Sequence, residues 1–101
     1  MLDLPALQTR IYQNKLNKHF NVTDIPLEFC LLQGEVSEAF AAYDQKDPTL
    51  GEELADVAIY LLGLAEIVGV NLEAELLRKV EKNERRQYIQ KDGVTIRITD
   101  G

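Results

Sequence analysis

Between Asp56 and Gly69 the chain places Val57, Ala58, Ile59, Leu61, Leu62, Leu64, Ala65, Ile67 and Val68 around nearly every side of a helix. A helix that is apolar all round must be buried all round. The chain has 101 residues, enough for one domain (residues 1–101), and three other helices struggle to cover a fourth completely. The simplest arrangement packs a second copy of the chain on this helix and the one before it. Gly63, in the middle, costs about 1 kcal/mol against alanine and permits close helix approach.

Three more helices flank this one. The first is expected from about Leu4 to Phe20, capped by Asp3, with Pro5 in its first turn and Leu4, Leu7, Ile11, Leu16 and Phe20 on its apolar side. The second runs from about Ile25 to Tyr43, capped by Thr23 or Asp24. Lys46-Asp47-Pro48 breaks the pattern, and Thr49-Leu50-Gly51-Glu52 matches a capping box for the third. Gly69 stops the third helix near Val68. Asn71 caps a fourth, which ends near Arg86. The helical core is therefore about residues 4–86. The tail, 87–101, carries Asp92-Gly93 and a weak alternation, Val94-Thr95-Ile96-Arg97-Ile98, which suit a short hairpin or an irregular arm. The fold class is all-α, a four-helix bundle completed by oligomerisation.

Two acidic pairs sit inside the apolar pattern: Glu35-Val36-Ser37-Glu38 and, after fourteen intervening residues, Glu53-Leu54-Ala55-Asp56. Residues three apart on a helix lie about 60° apart around its axis, so each pair points two carboxylates one way. A short connection makes the two helices antiparallel, which lets all four acids converge. No lysine or arginine stands three or four residues from any of them, so local ion pairing is absent. Such a cluster cannot persist unneutralised in a packed interior. Either a divalent cation fills it or the pairs face water. Hard oxygen ligands suit Mg2+, or Mn2+, rather than zinc.

The fourth helix repeats Lys79, Lys82 or Asn83, and Arg86 on one face. Cations with one amide suit phosphate oxygens, although basic residues at a helix end also complement its dipole. Tyr60, four residues after Asp56, shares the acidic side of the third helix. It can meet a sugar or base, or serve as a core or interface tyrosine.

A net charge of −6 argues against non-specific nucleic-acid binding. Cys30 is the only cysteine, which excludes an intrachain disulfide and a cysteine zinc site; a small core residue is expected. His19, the only histidine, is expected at a helix end or on the surface. Asp3 and Pro5 interrupt the N-terminus, so no signal peptide is expected, and the stretch from Val57 to Val70 is too short for a bilayer. The chain reads as cytoplasmic, with no membrane partner.

The order Glu35-x-x-Glu38, Glu53-x-x-Asp56, Lys79-x-x-x-Asn83 resembles the MazG-like branch of the all-α nucleotide pyrophosphohydrolases. The wording of residues 51–62 and 82–86 is especially similar, and the resemblance spans about Leu27 to Arg86. It implies a helical fold in homodimers or tetramers with sites near subunit interfaces. It implies magnesium-dependent cleavage of nucleoside triphosphates to monophosphate and pyrophosphate, with a nucleotide-pool house-cleaning role. By resemblance, Glu35, Glu38, Glu53 and Asp56 hold the metal, and Glu35, ahead of Glu38, orients or deprotonates water. Lys79, Lys82, Asn83 and Arg86 hold phosphate oxygens, with Tyr60 nearby. Phosphoribosyl-ATP pyrophosphohydrolase is an alternative within the same chemistry, and a metal-free helical dimerisation module is one outside it.

Overall fold

The computed structural model describes residues 1–99; of the tail, Asp100 and Gly101 lie outside the described residues. Four helices, α1 (Leu4–Asn17), α2 (Ile25–Asp44), α3 (Leu50–Ile67) and α4 (Leu72–Arg85), precede a hairpin of β1 (Tyr88–Lys91) and β2 (Val94–Arg97). α2 and α3 pack along each other, α1 lies on α3, and α4 is docked mainly on α1. No helix among the described residues is long and apolar enough to cross a membrane.

The caps explain the boundaries. Asp3, Asp24 and Asn71 each accept a hydrogen bond from the N–H three residues on, at 3.0, 3.1 and 3.1 Å. The capping box expected at Thr49 does not form. Its hydroxyl and its N–H both donate instead to Asp47 Oδ1, each at 2.8 Å, which holds the Asp47 carboxyl below its ordinary pKa. Three helices end alike, on a left-handed residue: His19 (φ 58°), Lys46 (φ 55°) and Gly69 (φ 75°). In each case the next N–H reaches back to a carbonyl five residues earlier, as Val70 does to Ala65 at 2.8 Å. This stop ends α1 at Asn17, so Phe20, expected inside the helix, lies beyond it. The tail is a hairpin, turned by Asp92 and Gly93, both at positive φ, with Tyr88 paired to Arg97.

Gly63 is the close-approach point. A Cβ there would meet Ile11 Cγ2 at 3.2 Å and Lys15 Cδ at 3.6 Å. Two buried polar residues fasten α1 around it. Gln8 donates to Glu66 Oε1 and to the Val70 carbonyl and accepts from the Leu72 N–H, tying α1 to the end of α3 and the start of α4. Lys15 pairs with Glu28 on α2, Nζ to Oε1 2.5 Å.

The buried apolar residues are few: Ala39, Ala42, Leu62, Leu64 and Ala65. α3 is covered by its own chain only in part. Leu54, Leu61 and Val68 are exposed, as are Phe29, Val36, Phe40 and Tyr43 on α2. Cys30, expected in the core, is exposed as well. It falls off the stripe through Glu28, Glu35, Ala39 and Ala42 by which α2 faces α3. The chain exposes 7559 Å2 and has a radius of gyration of 17.1 Å. A compact chain of this size would expose about 5,800 Å2 and have a radius of about 13 Å.

Candidate metal-carboxylate site

α2 and α3 run side by side, and their facing stripes carry the acids. Carboxylate oxygens of Glu35, Glu38 and Glu53 lie within 4.8 Å of one another. A hexacoordinate ion with bonds of about 2.1 Å spans about 4.2 Å between opposite ligands, so small side-chain rotations close this set on one cation. Asp56, one turn further along α3, falls outside that triplet, yet its charge acts on Glu35.

Electrostatics and burial single out Glu35. Its carboxyl is pushed above the usual carboxylate range, first by desolvation, then by hydrogen bonding to Glu38 and by the charges of Glu38, Asp56 and Glu53. Its Oε2 is buried with no hydrogen-bond partner among the described residues. A buried acceptor without a donor is costly, and a hard cation satisfies it. Glu53 is raised as well, by desolvation and then by Glu38 and Asp56. The donor set is all oxygen, so it fits Mg2+ or Mn2+.

Tyr60 stands beside these acids. Desolvation raises its phenol most, and the charges of Glu35, Glu28, Asp56 and Glu38 raise it further. Its ring also lies under the Lys15 ammonium, 5.3 Å from Nζ to centroid. The basic strip is elsewhere. Lys79 is held below its ordinary pKa mainly by Arg86, with burial, Lys82 and Arg97 adding to the effect. Arg97 acts on Lys79 from the hairpin, whose ladder the Ile98 N–H extends by bonding the Gln87 carbonyl at 2.8 Å. α4 packs mainly on α1, whereas the four acids stand on α2 and α3. Lys82 and Asn83 are exposed.

Sequence reasoning missed Gln8, Lys15, Glu28 and Arg97. For α1 the signal was present. Leu4, Gln8, Ile11 and Lys15 follow i, i+4, i+7, i+11 spacing, so two polar residues occupy the stripe facing the core. Arg97 became visible only through the hairpin register.

The fold matches that of a known protein. A MazG-like pyrophosphohydrolase of cyanophage S-2L, solved with dGDP and three catalytic Mn2+ ions per active site, superposes with a TM-score of 0.72 at 25% identity. The alignment covers 98% of this chain and 100% of that one. No curated protein matches the chain. The family model described as MazG-like matches residues 27–100, a span that holds both acidic pairs and the basic helix. With that match over most of its length, the chain belongs to the MazG-like family.

Proposed function

We propose that this protein hydrolyses nucleoside triphosphates, ribo- or deoxyribo-, to the monophosphate and pyrophosphate, in a divalent-metal-dependent reaction that clears nucleotides from the pool. The coarser activity, nucleotide pyrophosphohydrolase, follows from the family and from the pyrophosphohydrolase of the same fold. The observation carrying the finer reading is the Glu35–Glu38–Glu53 cluster with its orphaned Glu35 Oε2. Glu35, Glu38, Glu53 and Asp56 would hold Mg2+ or Mn2+. Such an ion neutralises phosphate charge and makes water more acidic.

The chain's own groups do the rest. Glu35, with a buried Oε2 and two acids beside it, is suited to orient the attacking water or take its proton at an Oε atom. Water adds to the α-phosphorus, the bond to the bridging oxygen breaks, and pyrophosphate leaves with that oxygen. Lys79, Lys82, Asn83 and Arg86 suit phosphate oxygens and developing charge. As α4 packs mainly on α1 while the acids stand on α2 and α3, these groups would reach the substrate from a second copy. Exposed stripes on α2 and α3, with the surface excess of the single chain, support a homo-oligomer joined through those helices. The functional test is incubation with each common nucleoside triphosphate and Mg2+ or Mn2+. Monophosphate and pyrophosphate should appear and a chelator should stop them; orthophosphate with a diphosphate would refute the reading.

A further inference from the structure

Next to the carboxylates is a small cavity of about 170 Å3, walled by Lys15, Phe20, Asn21, Glu28, Leu31 and Tyr60. Its volume equals that of about five or six liquid waters, room for one heterocyclic base. Its position relative to the acids follows from helix register. Leu31 is one turn before Glu35 on α2, and Tyr60 is one turn after Asp56 on α3. One turn is about 5.4 Å, roughly the reach of a sugar between a phosphate and its base. A larger apolar groove of about 670 Å3 between α1 and α3 is less suited to this role. It adjoins the small cavity at Lys15, Phe20 and Tyr60, but the rest of its α3 wall, Ala55, Ala58, Ile59 and Leu62, lies roughly opposite the acids around the helix.

The small cavity holds a built polar group. Lys15 is 8% exposed and Glu28 1%. Both oxygens of Glu28 are engaged, Oε1 by Lys15 Nζ at 2.5 Å and Oε2 by Asn21 Nδ2 at 3.1 Å. Asn21 is fully engaged too, its amide also donating to the Asp24 carbonyl and its Oδ1 accepting from the Thr23 and Asp24 N–H groups. Lys15 is different. An ammonium has three donors and no acceptor. One donor goes to Glu28, and the Tyr60 ring lies on another side. Donor capacity remains at the floor of a cavity whose walls include Phe20, an aromatic ring that suits stacking on a base.

We infer that this cavity receives the substrate's base, and that Lys15, anchored by Glu28, selects a carbonyl at purine C6 or pyrimidine C4. Those positions lie farthest from the glycosidic bond, so they meet the floor. Guanine presents O6 and N7, two adjacent acceptors, and thymine or uracil presents O4. Adenine and cytosine present an amino group there, donor against donor. Hypoxanthine shares O6 and N7 with guanine, so it should be treated alike. The inference rests on the proposed triphosphate site, and its test reads binding apart from turnover.

The experiment is calorimetric titration of the wild-type protein, with Mn2+ present, by GDP, IDP and ADP, alongside kcat/KM for GTP, ITP and ATP. GDP and IDP should bind about tenfold or more tighter than ADP, the discrimination of one good polar base contact. In Lys15→Met/Glu28→Met, which removes both buried charges together, the preference should fall to within about threefold. A merely structural role for the pair would lower stability and leave the ratio intact. If that variant does not fold, the wild-type comparison of IDP with ADP still decides. Equal or tighter ADP binding overturns the inference. Tighter binding of GDP and IDP without any pyrophosphate release leaves the inference standing and refutes the proposed reaction instead.

Discussion

Lys15 Nζ and Glu28 Oε1 lie 2.5 Å apart, buried between α1 and α2. Asn21 holds the other oxygen of Glu28, in the loop that joins the two helices. The pair therefore fixes how α1 sits against α2. Removing one partner of a buried pair strands the other charge. Glu28→Ala should destabilise the protein by about 3–5 kcal/mol. Thermal or urea unfolding will show it. Replacing both with methionine should cost much less, and a double variant as unstable as Glu28→Ala would refute the stranded-charge explanation.

Gly63 predicts a size threshold. Alanine there gains up to about 1 kcal/mol of helix propensity, while its Cβ presses on the Cγ2 branch methyl of Ile11 at 3.2 Å. That methyl can yield by a few tenths of an ångström, so Gly63→Ala should leave the melting temperature nearly unchanged. Gly63→Leu pushes α1 off α3 and should lower it clearly, since overpacking typically costs about 1–3 kcal/mol.

The raised carboxyls of Glu35 and Glu53 set a pH dependence for the metal-free protein. Above the ordinary value of 4.5 the folded chain keeps protons that the unfolded chain has released. Stability then falls as pH rises from there through the raised pKa values. Asp47 is shifted the other way and acts only below its ordinary 3.8, outside this window. Melting temperatures measured in chelator should decline from that acidic end toward neutrality. Glu35→Gln should flatten the decline, and added Mn2+ should reverse it at neutral pH. A metal-free protein that gains stability across this window would contradict the cluster.

The four helices were legible because their caps and periodicity are local: Asp3, Asp24, Asn71 and Gly69 mark ends as their chemistry requires. The acids were legible because i, i+3 spacing on antiparallel neighbours leaves them few other places to go. What escaped was non-local. Nothing in Thr49-Leu50-Gly51-Glu52 reveals that Asp47 captures the Thr49 hydroxyl. Lys15 read as ordinary helix charge because Glu28, thirteen residues on, belongs to another element. Lys79 and Arg86 lay on one predicted face, but their distance from the carboxylates depends on α4 docking against α1, which no local pattern encodes.

Exposed Phe29, Val36, Phe40 and Tyr43 on α2, with Leu54 and Leu61 on α3 and Val68 at its end, predict at least a dimer. Light scattering at micromolar concentration should show it. Leu61→Lys should dissociate or unfold the assembly, since an unpaired charge would enter a buried surface. A well-folded wild-type monomer would sink the assembly.

Catalysis and stability of the metal-free protein should move in opposite directions at the carboxylates. Glu38→Gln or Asp56→Asn weakens the hold on a hard cation and should abolish turnover. The same changes delete a repelling charge, so the metal-free melting temperature should rise or stay level. Near wild-type activity in both variants would remove these two residues from the site.

The central claim, attack on the α-phosphorus by water activated at the Glu35–Glu38–Glu53 cluster, is tested most directly by isotope. A nucleoside triphosphate is hydrolysed in 18O-labelled water with Mn2+, and the products are weighed by mass spectrometry. The label should enter the monophosphate alone, and pyrophosphate should be unlabelled. Label in pyrophosphate, or release of labelled orthophosphate with a diphosphate, would place the attack on another phosphorus and contradict the account.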